Sequence, residues 1–527
     1  MTQLDCDILI IGSGAAGGTL AGSLAELTGK RIVLLERGGH YTRSFFNQRE
    51  WDMRVLYAEA GQRTTMDGAL PVRGGECVGG GTTINVALSF DPVREIWRRW
   101  RDEHALTGFS FDAGADDYGI SRLNMASALA QVRERCHVIT PEPTQINRNN
   151  ALFAQGCAAL GVRAQPFQLN MQGCIGCGFC GTGCAYDAKR GTLVTYIADA
   201  LAKRTQLVHH AEVERIELSE RAGRRVAVGA IARVRDTQPG SEPNSVPPGP
   251  LHVRARLVIV ACGAIETPCL LARSGHPDPD DVIGTGLILH PSLPVVGLMD
   301  QEVAGHRGIE GSMYSDHFLA EHGFYLECLF GHPLYGSALL PGFGPEHFEL
   351  MLAYRRLAGF GVMLIDTVSR TNRVHWSAAL GRAIIDYRLG DDDARRLRIG
   401  AARALEVMLA AGAREALLPS EESLGSLPRA HARFQSAAEV VHCEALRFVP
   451  HQTVLTSAHC QATVKMGGSA DKAVLDSRCE SRAIGNLVVC DGSVFPSSCG
   501  ANPMLSIMTL ARYQATRIAA EHRRYGL

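Results

Sequence analysis

The sequence predicts an α/β fold joined to a second, α+β domain, and three observations carry that prediction. The first forty residues read strand, glycine-rich turn, helix, strand. An apolar strand, "LVIVACGA" (257–264), returns to the same pattern after a long stretch of different sequence. And 527 residues with 46% hydrophobic content exceed what a single core usually organises.

Each element follows in order. In "CDILIIGSGAAGGTLAGSLAELTGKRIVLLERGG" an apolar strand (7–11) leads into Gly12-x-Gly14-x-x-Gly17, a helix of small residues, and a strand ending in Glu36. The glycines let the turn close and let the backbone approach a pyrophosphate at the helix N-terminus. Glu36 stands where a carboxylate accepts from a ribose 2′-hydroxyl and repels a 2′-phosphate. Strand before, helix after and acid at the next strand end make this a Rossmann-like dinucleotide site. A second glycine-rich stretch, "GGECVGGGTTINVALSF" (74–90), is too costly in backbone entropy for an ordinary helix. It suits close backbone approach to a large planar cofactor. "REIWRRWRDEH" (94–104) mixes both charges and reads as a solvated helix face. "DTQPGSEPNSVPPGP" (236–250) is an exposed Pro/Gly/Ser loop, between "VERIEL" and "LHVRARLVIVACGA", which reads as a hairpin returning to the nucleotide domain. The stretch 391–417 begins with three aspartates and is expected to be one amphipathic helix.

Composition excludes several classes. A formal net charge of −1 and a pI near 7.0 offer no basic surplus for nucleic acid. No apolar run approaches the roughly 18–20 residues of a membrane span. The N-terminus has no secretory pattern, so a cytoplasmic location is expected. Of sixteen cysteines, twelve are scattered, and buried thiols or metal ligands suit them better than disulfides. The other four, Cys174, Cys177, Cys180 and Cys184, are spaced C-x2-C-x2-C-x3-C, like the ligand run of a bacterial ferredoxin. An iron–sulfur cluster, a structural zinc, a disulfide and a packed thiol loop all remain open for them. Ala185 stands where such a ferredoxin run carries proline.

Taken together, these stretches resemble the glucose–methanol–choline (GMC) family of FAD oxidoreductases. Four motifs in order carry the resemblance: the N-terminal fingerprint, the 79–85 stretch, "ACGAIETPCLLARSG" (261–275), and "NLVVCDGSVFPSSCGANPMLSIMTLARYQATRIA" (486–519). A narrower likeness, to the long-chain alcohol oxidase/dehydrogenase branch, rests on "CGFCGTGCAYDAKRGT" (177–192), "SAH" (457–459) and the apolar stretch 332–366. That branch carries cysteines like Cys177, Cys180 and Cys184 and a lysine like Lys189, with Cys174 an addition here.

The resemblance implies an FAD-binding domain from 1–90, 190–290 and 456–527, interleaved with a substrate domain from 91–189 and 291–455, the Cys-rich loop being 174–191. It implies oxidation of a hydrophobic primary or secondary alcohol to aldehyde or ketone, with hydride passing to flavin N5. His459 would be the base, because a neutral imidazole suits proton acceptance near pH 7, and Asn502 would hold the substrate oxygen. Gly12, Gly14, Gly17, Glu36, Gly79, Gly80, Thr82, Asn85, Val213, Asp491 and Gly492 are the implied FAD contacts, and His290 a structural or cofactor-edge residue. Asn502 before Pro503 also reads as an N-cap followed by proline at the first helical position. Relatives have glycine where this chain has Ala462. The electron acceptor would be dioxygen or a carrier protein, an iron–sulfur cluster favouring the latter. Other readings are a lyase or decarboxylase on the same fold and an electron-transfer subunit of a larger dehydrogenase.

Overall fold

The computed structural model of the protein describes residues 1–425, 427 and 432–527. Four consecutive buried aliphatic residues in Ile8–Ile11, Ile32–Leu35 and Leu257–Val260 are what a strand covered on both faces requires. These strands form a parallel five-stranded sheet in the order Leu487–Val489, Leu257–Val260, Ile8–Ile11, Ile32–Leu35, Gln206–Val208. Helix Ala15–Thr28 connects the central pair and packs on the C-terminal helix Met504–Ala520. Small residues permit this: a Cβ at Gly17 would stand 1.8 Å from the Gly12 carbonyl oxygen.

The expected hairpin gains a strand: Ala211–Arg221, which holds "VERIEL", pairs with Arg224–Val234 rather than with the strand beyond the loop. Arg224–Val234 and Gly249–Arg254 pair antiparallel across the 236–250 loop, and the chain then enters the parallel sheet at Leu257. Residues Arg94–Glu103 form the mixed-charge helix, burying only Trp97 and Trp100.

The second sheet has seven strands and includes Ser292–Leu298, Phe324–Glu327 and Leu357–Leu364. Its neighbouring strands run antiparallel, and helix Asp391–Ala410 packs on it. The single helix expected over 391–417 is shorter than predicted. Gly412 takes φ +94° and ends it, after which Glu415–Leu417 pairs in the sheet as a strand. No helix among the described residues is long and apolar enough to cross a membrane.

Candidate active site

A long cleft runs along the C-terminal edge of the parallel sheet and encloses about 1310 Å³ of atom-free space, its open mouth included. Gly12 (φ +96°) bends the chain out of its strand under the Ala261 carbonyl, whose oxygen a Cβ would meet at 2.4 Å. Gly14, Gly80 and Gly81 form a cradle. A Cβ on Gly81 would meet nothing within 4 Å, and one on Gly14 only the Gly80 Cα at 4.0 Å, so side chains there would fill the cleft. Glu36 is buried, accepting from the Ser13 amide (3.0 Å), the Ser13 hydroxyl (2.6 Å) and the Gly38 amide (2.8 Å). Burial raises its pKa against those donors, and its remaining lone pairs suit ribose hydroxyls. Arg37, Arg63 and Arg73 line the same wall together with Glu76 and Glu266. Arg37 and Arg63 share the Glu266 carboxylate at 3.1 and 3.2 Å, while the Arg73 guanidinium lies 3.9 Å from the Tyr335 ring centroid.

Val213, Asp491 and Gly492 also line the cleft. The Asp491 carboxylate is occupied by protein donors, however: the Gly263 amide (2.8 Å), the Thr267 hydroxyl (2.6 Å) and the Ser493 amide (2.8 Å). It therefore anchors helix Gly263–Arg273 at the cleft. Gly17, Gly79, Thr82 and Asn85 stand behind the lining. Thr82 bonds the Gly79 carbonyl and lies 2.9 Å from the Thr192 hydroxyl, and the Asn85 amide lies 3.0 Å from the Met504 sulfur.

His459 lies in the chain between the cleft-lining residues Ala458 and Cys460, and Asn502 directly precedes Pro503, which lines the cleft too. His459 is half-buried. Burial pushes its pKa down to about 4. The ring is neutral at pH 7 and free to accept a proton. His290 packs edge-on at 5.4 Å between centroids. Its own Nε2 lies 2.6 Å from the Ser498 hydroxyl, and burial depresses its pKa first, with His459 adding to the effect.

Residues that the sequence reading missed tie the two halves of this corner together. The buried Gln461 side chain accepts from the Cys499 amide (2.9 Å) and donates to the His459 carbonyl (3.2 Å). Asp366 accepts from the Leu289 and His290 amides and the Tyr387 hydroxyl. Gln461, two residues from His459 and flanked by small residues, carried a faint signal; Asp366, far along the chain, carried none. The expected N-cap is absent. The C-terminal helix starts at Met504 with Pro503 as its cap, and the buried Asn502 Oδ1 has no hydrogen-bond partner. Ala462 is held at φ +69°, which explains why glycine suits that position.

An iron–sulfur cluster, one of the four readings open for the cysteine run, is not supported. Cys174, Cys177, Cys180 and Cys184 line one small cavity with Lys189, yet no group of three or more His, Cys, Asp or Glu side chains among the described residues could hold a metal ion. The loop turns instead through Gly176, Gly178 and Gly183, all at positive φ. The Cys174 and Cys184 sulfurs accept from the Gly176 and Lys189 amides at 3.4 Å, and burial raises the Cys174 and Cys180 pKa values. Buried Lys189 is the keystone: its ammonium donates to the carbonyls of Thr83 (2.7 Å), Asn85 (2.6 Å) and Cys180 (2.6 Å). It thereby fastens the cysteine loop to the glycine-rich turn.

The fold and this cleft define a dinucleotide-dependent oxidoreductase, and its residues fit FAD: the glycine cradle and the ribose carboxylate are both present. The chain matches the family model for GMC oxidoreductase in an N-terminal part (residues 53–292) and a C-terminal part (368–511). An uncharacterized GMC-type oxidoreductase of Mycobacterium tuberculosis is 32% identical, the match covering 98% of this chain and 76% of that protein. A long-chain-alcohol oxidase of Arabidopsis thaliana is 28% identical over 98% of this chain and 67% of its own length. Among solved structures, a formate oxidase of Aspergillus oryzae RIB40 superimposes with a TM-score of 0.71 at 15% identity, covering 100% of both chains. A pyridoxine 4-oxidase from Mesorbium loti gives 0.66 at 18%, covering 98% of this chain and 99% of that one. The protein belongs to the GMC oxidoreductase family and is an FAD-dependent oxidoreductase acting on CH–OH groups.

Proposed function

We propose that the enzyme oxidises a hydrophobic primary or secondary alcohol to the aldehyde or ketone. The carrying observation is a neutral His459 whose chain neighbours Ala458 and Cys460 line the cofactor cleft, as does Pro503 next to Asn502. Bound FAD supplies the two-electron acceptor. His459 takes the hydroxyl proton on a ring nitrogen, and the Asn502 amide orients the oxygen as it gains charge. Gly12, Gly14, Glu36, Gly80, Val213 and Gly492 hold the cofactor, and Gly17, Gly79, Thr82, Asn85 and Asp491 shape the turns that present them.

An apolar substrate is supported by the Arabidopsis long-chain-alcohol oxidases and by a ring cluster tied to Gly500, two residues before Asn502. Phe90 lies 5.0 Å from Tyr314 and 5.4 Å from Tyr325, and the Tyr325 hydroxyl donates to the Gly500 carbonyl. We assign 1–90, 190–290 and 456–527 to the FAD domain and the remainder to the substrate domain, with dioxygen as the acceptor by analogy to those oxidases. The test is anaerobic mixing with alcohols of increasing chain length. Long-chain alcohols should bleach the flavin, and His459→Ala should slow bleaching by about 10²–10⁴-fold, the usual worth of a general base. Unchanged bleaching in that variant, or none by any alcohol in the parent, would sink the reading; the latter points to a lyase.

A further inference from the structure

Two imidazoles, His459 and His290, meet at this corner, and the scheme above uses one of them. Their ring centroids are 5.4 Å apart, with the planes at 83°. The buried side chain of Gln461 separates their roles. It lies among groups whose chemistry leaves its amide a single orientation. The Cys499 backbone N–H can only donate, so the amide oxygen faces it at 2.9 Å. The His459 backbone carbonyl can only accept, so the amide nitrogen faces it at 3.2 Å. Turning the amide over would set donor against donor and acceptor against acceptor. The same nitrogen lies 3.3 Å from His290 Nε2. An amide nitrogen only donates, so His290 Nε2 is the acceptor.

Ser498 agrees with that polarity. Its hydroxyl oxygen accepts from the Gly500 amide at 3.1 Å and lies 2.6 Å from His290 Nε2, to which the hydroxyl then donates. The Nε2 lone pair is thus shared by two donors. A neutral imidazole with an accepting Nε2 carries its proton on Nδ1, and His290 Nδ1 is buried with no partner. Burial keeps the ring neutral, lowering its pKa well below the usual value, and His459 adds to the effect. Asp366 bonds the backbone of this residue and not its ring: it accepts from the His290 and Leu289 amides and from the Tyr387 hydroxyl. His290 is held there at φ +50°. One ring nitrogen already bears a proton and the lone pair of the other is taken, so the ring offers no place for a second proton.

We propose that Gln461 is a positioning residue that locks His290 in the tautomer protonated at Nδ1, leaving His459 as the imidazole of the pair that takes the substrate proton. A second basic ring here would share that proton with His459. Alternatively it would carry a positive charge beside His459 and make it a poorer base. Either way the loss falls on the chemical step rather than on cofactor binding.

This division of roles rests on the alcohol-oxidising reading of the site, so its test has two arms. In the first, nitrogen NMR spectra of FAD-loaded resting enzyme carrying isotope-labelled histidine read the ring protonation at pH 7. The His290 signals are identified by their loss in His290→Gln. The parent should show a protonated Nδ1 and an unprotonated Nε2. Ser498→Ala should keep that pattern, because the Gln461 donor remains. Gln461→Glu, which can still accept from Cys499 but no longer donates, should place a proton on Nε2. In the second arm, Gln461→Glu should lower the rate of flavin reduction by alcohol about 10–100-fold, part of the usual worth of a general base. KM should stay within about three-fold, with flavin content and dithionite reduction unchanged. Adding His290→Gln to that variant removes the competing ring and should restore at least about a third of the parental rate. A proton on Nε2 in the parent or in Ser498→Ala overturns the proposal, as does an unchanged tautomer in Gln461→Glu. A double variant as slow as the single one also overturns it, because the loss would then be one of packing. If the spectra are as expected while no alcohol bleaches the flavin, the lock stands and the alcohol reading fails.

Discussion

His459 and Ala462 lie three residues apart and show how differently single positions are governed. Burial holds His459 near a pKa of 4, below its ordinary value of 6.5, so the ring is the free base at every pH above that. Acidification through the depressed pKa protonates it and removes the proton acceptor. The flavin reduction rate should therefore be flat between about pH 6 and 8, with an acid limb falling well below 6.5; stopped-flow at several pH values measures it. A limb centred at 6.5 would mean that the ring is solvated during turnover. At Ala462 the issue is backbone geometry. A φ of +69° costs an alanine about 1–2 kcal/mol, of which glycine returns part through unfolded-chain entropy. Ala462→Gly should raise stability by about 0.5–1 kcal/mol, read as a shift of the urea midpoint of the loaded enzyme.

At the scale of elements, the glycine turns decide where the cofactor lies. Gly81 faces open cleft, where an added Cβ touches nothing. Gly81→Val should therefore fold normally yet weaken FAD binding at least about ten-fold, the effect of 1.4 kcal/mol, in a flavin-fluorescence titration. Equal affinity would place FAD elsewhere. Gly17 and Gly79 differ, because side chains there would strike protein at 1.8 and 2.3 Å. The sequence pattern made all of them look alike. Local spacing reports that small residues are needed, but only the neighbours show whether the space belongs to a ligand or to the fold. The cysteine loop repeats the lesson: its spacing matched a ferredoxin run, while three glycines and the Lys189 clamp set its course.

Across the whole molecule, stretches far apart in the chain meet at Glu266, which joins Arg37 from the first strand–helix unit to Arg63 from the stretch before the second turn. Burial alone would raise its pKa, and the two guanidinium groups overcome that and hold it below the ordinary value. The stability it contributes is complete above the unfolded value of about 4.3 and is lost as pH falls through the depressed folded value. Glu266→Gln leaves two cations without their shared partner and should cost about 3 kcal/mol at pH 7, the gap to the parent closing in strong acid. A gap that persists unchanged in acid would show that packing, not charge, is lost. By itself the sequence determined the parallel nucleotide sheet, the fingerprint with Glu36, the ordered motifs of the family and His459 as the base to test. Those signals are local, since periodicity, glycine spacing and motif order are written in neighbouring residues. Only the tertiary structure showed the Lys189 clamp on the cysteine loop, the unpartnered Asn502 oxygen, and the Gln461 and Asp366 ties. Burial and partnership depend on contacts between residues far apart in the chain, and no local pattern records them.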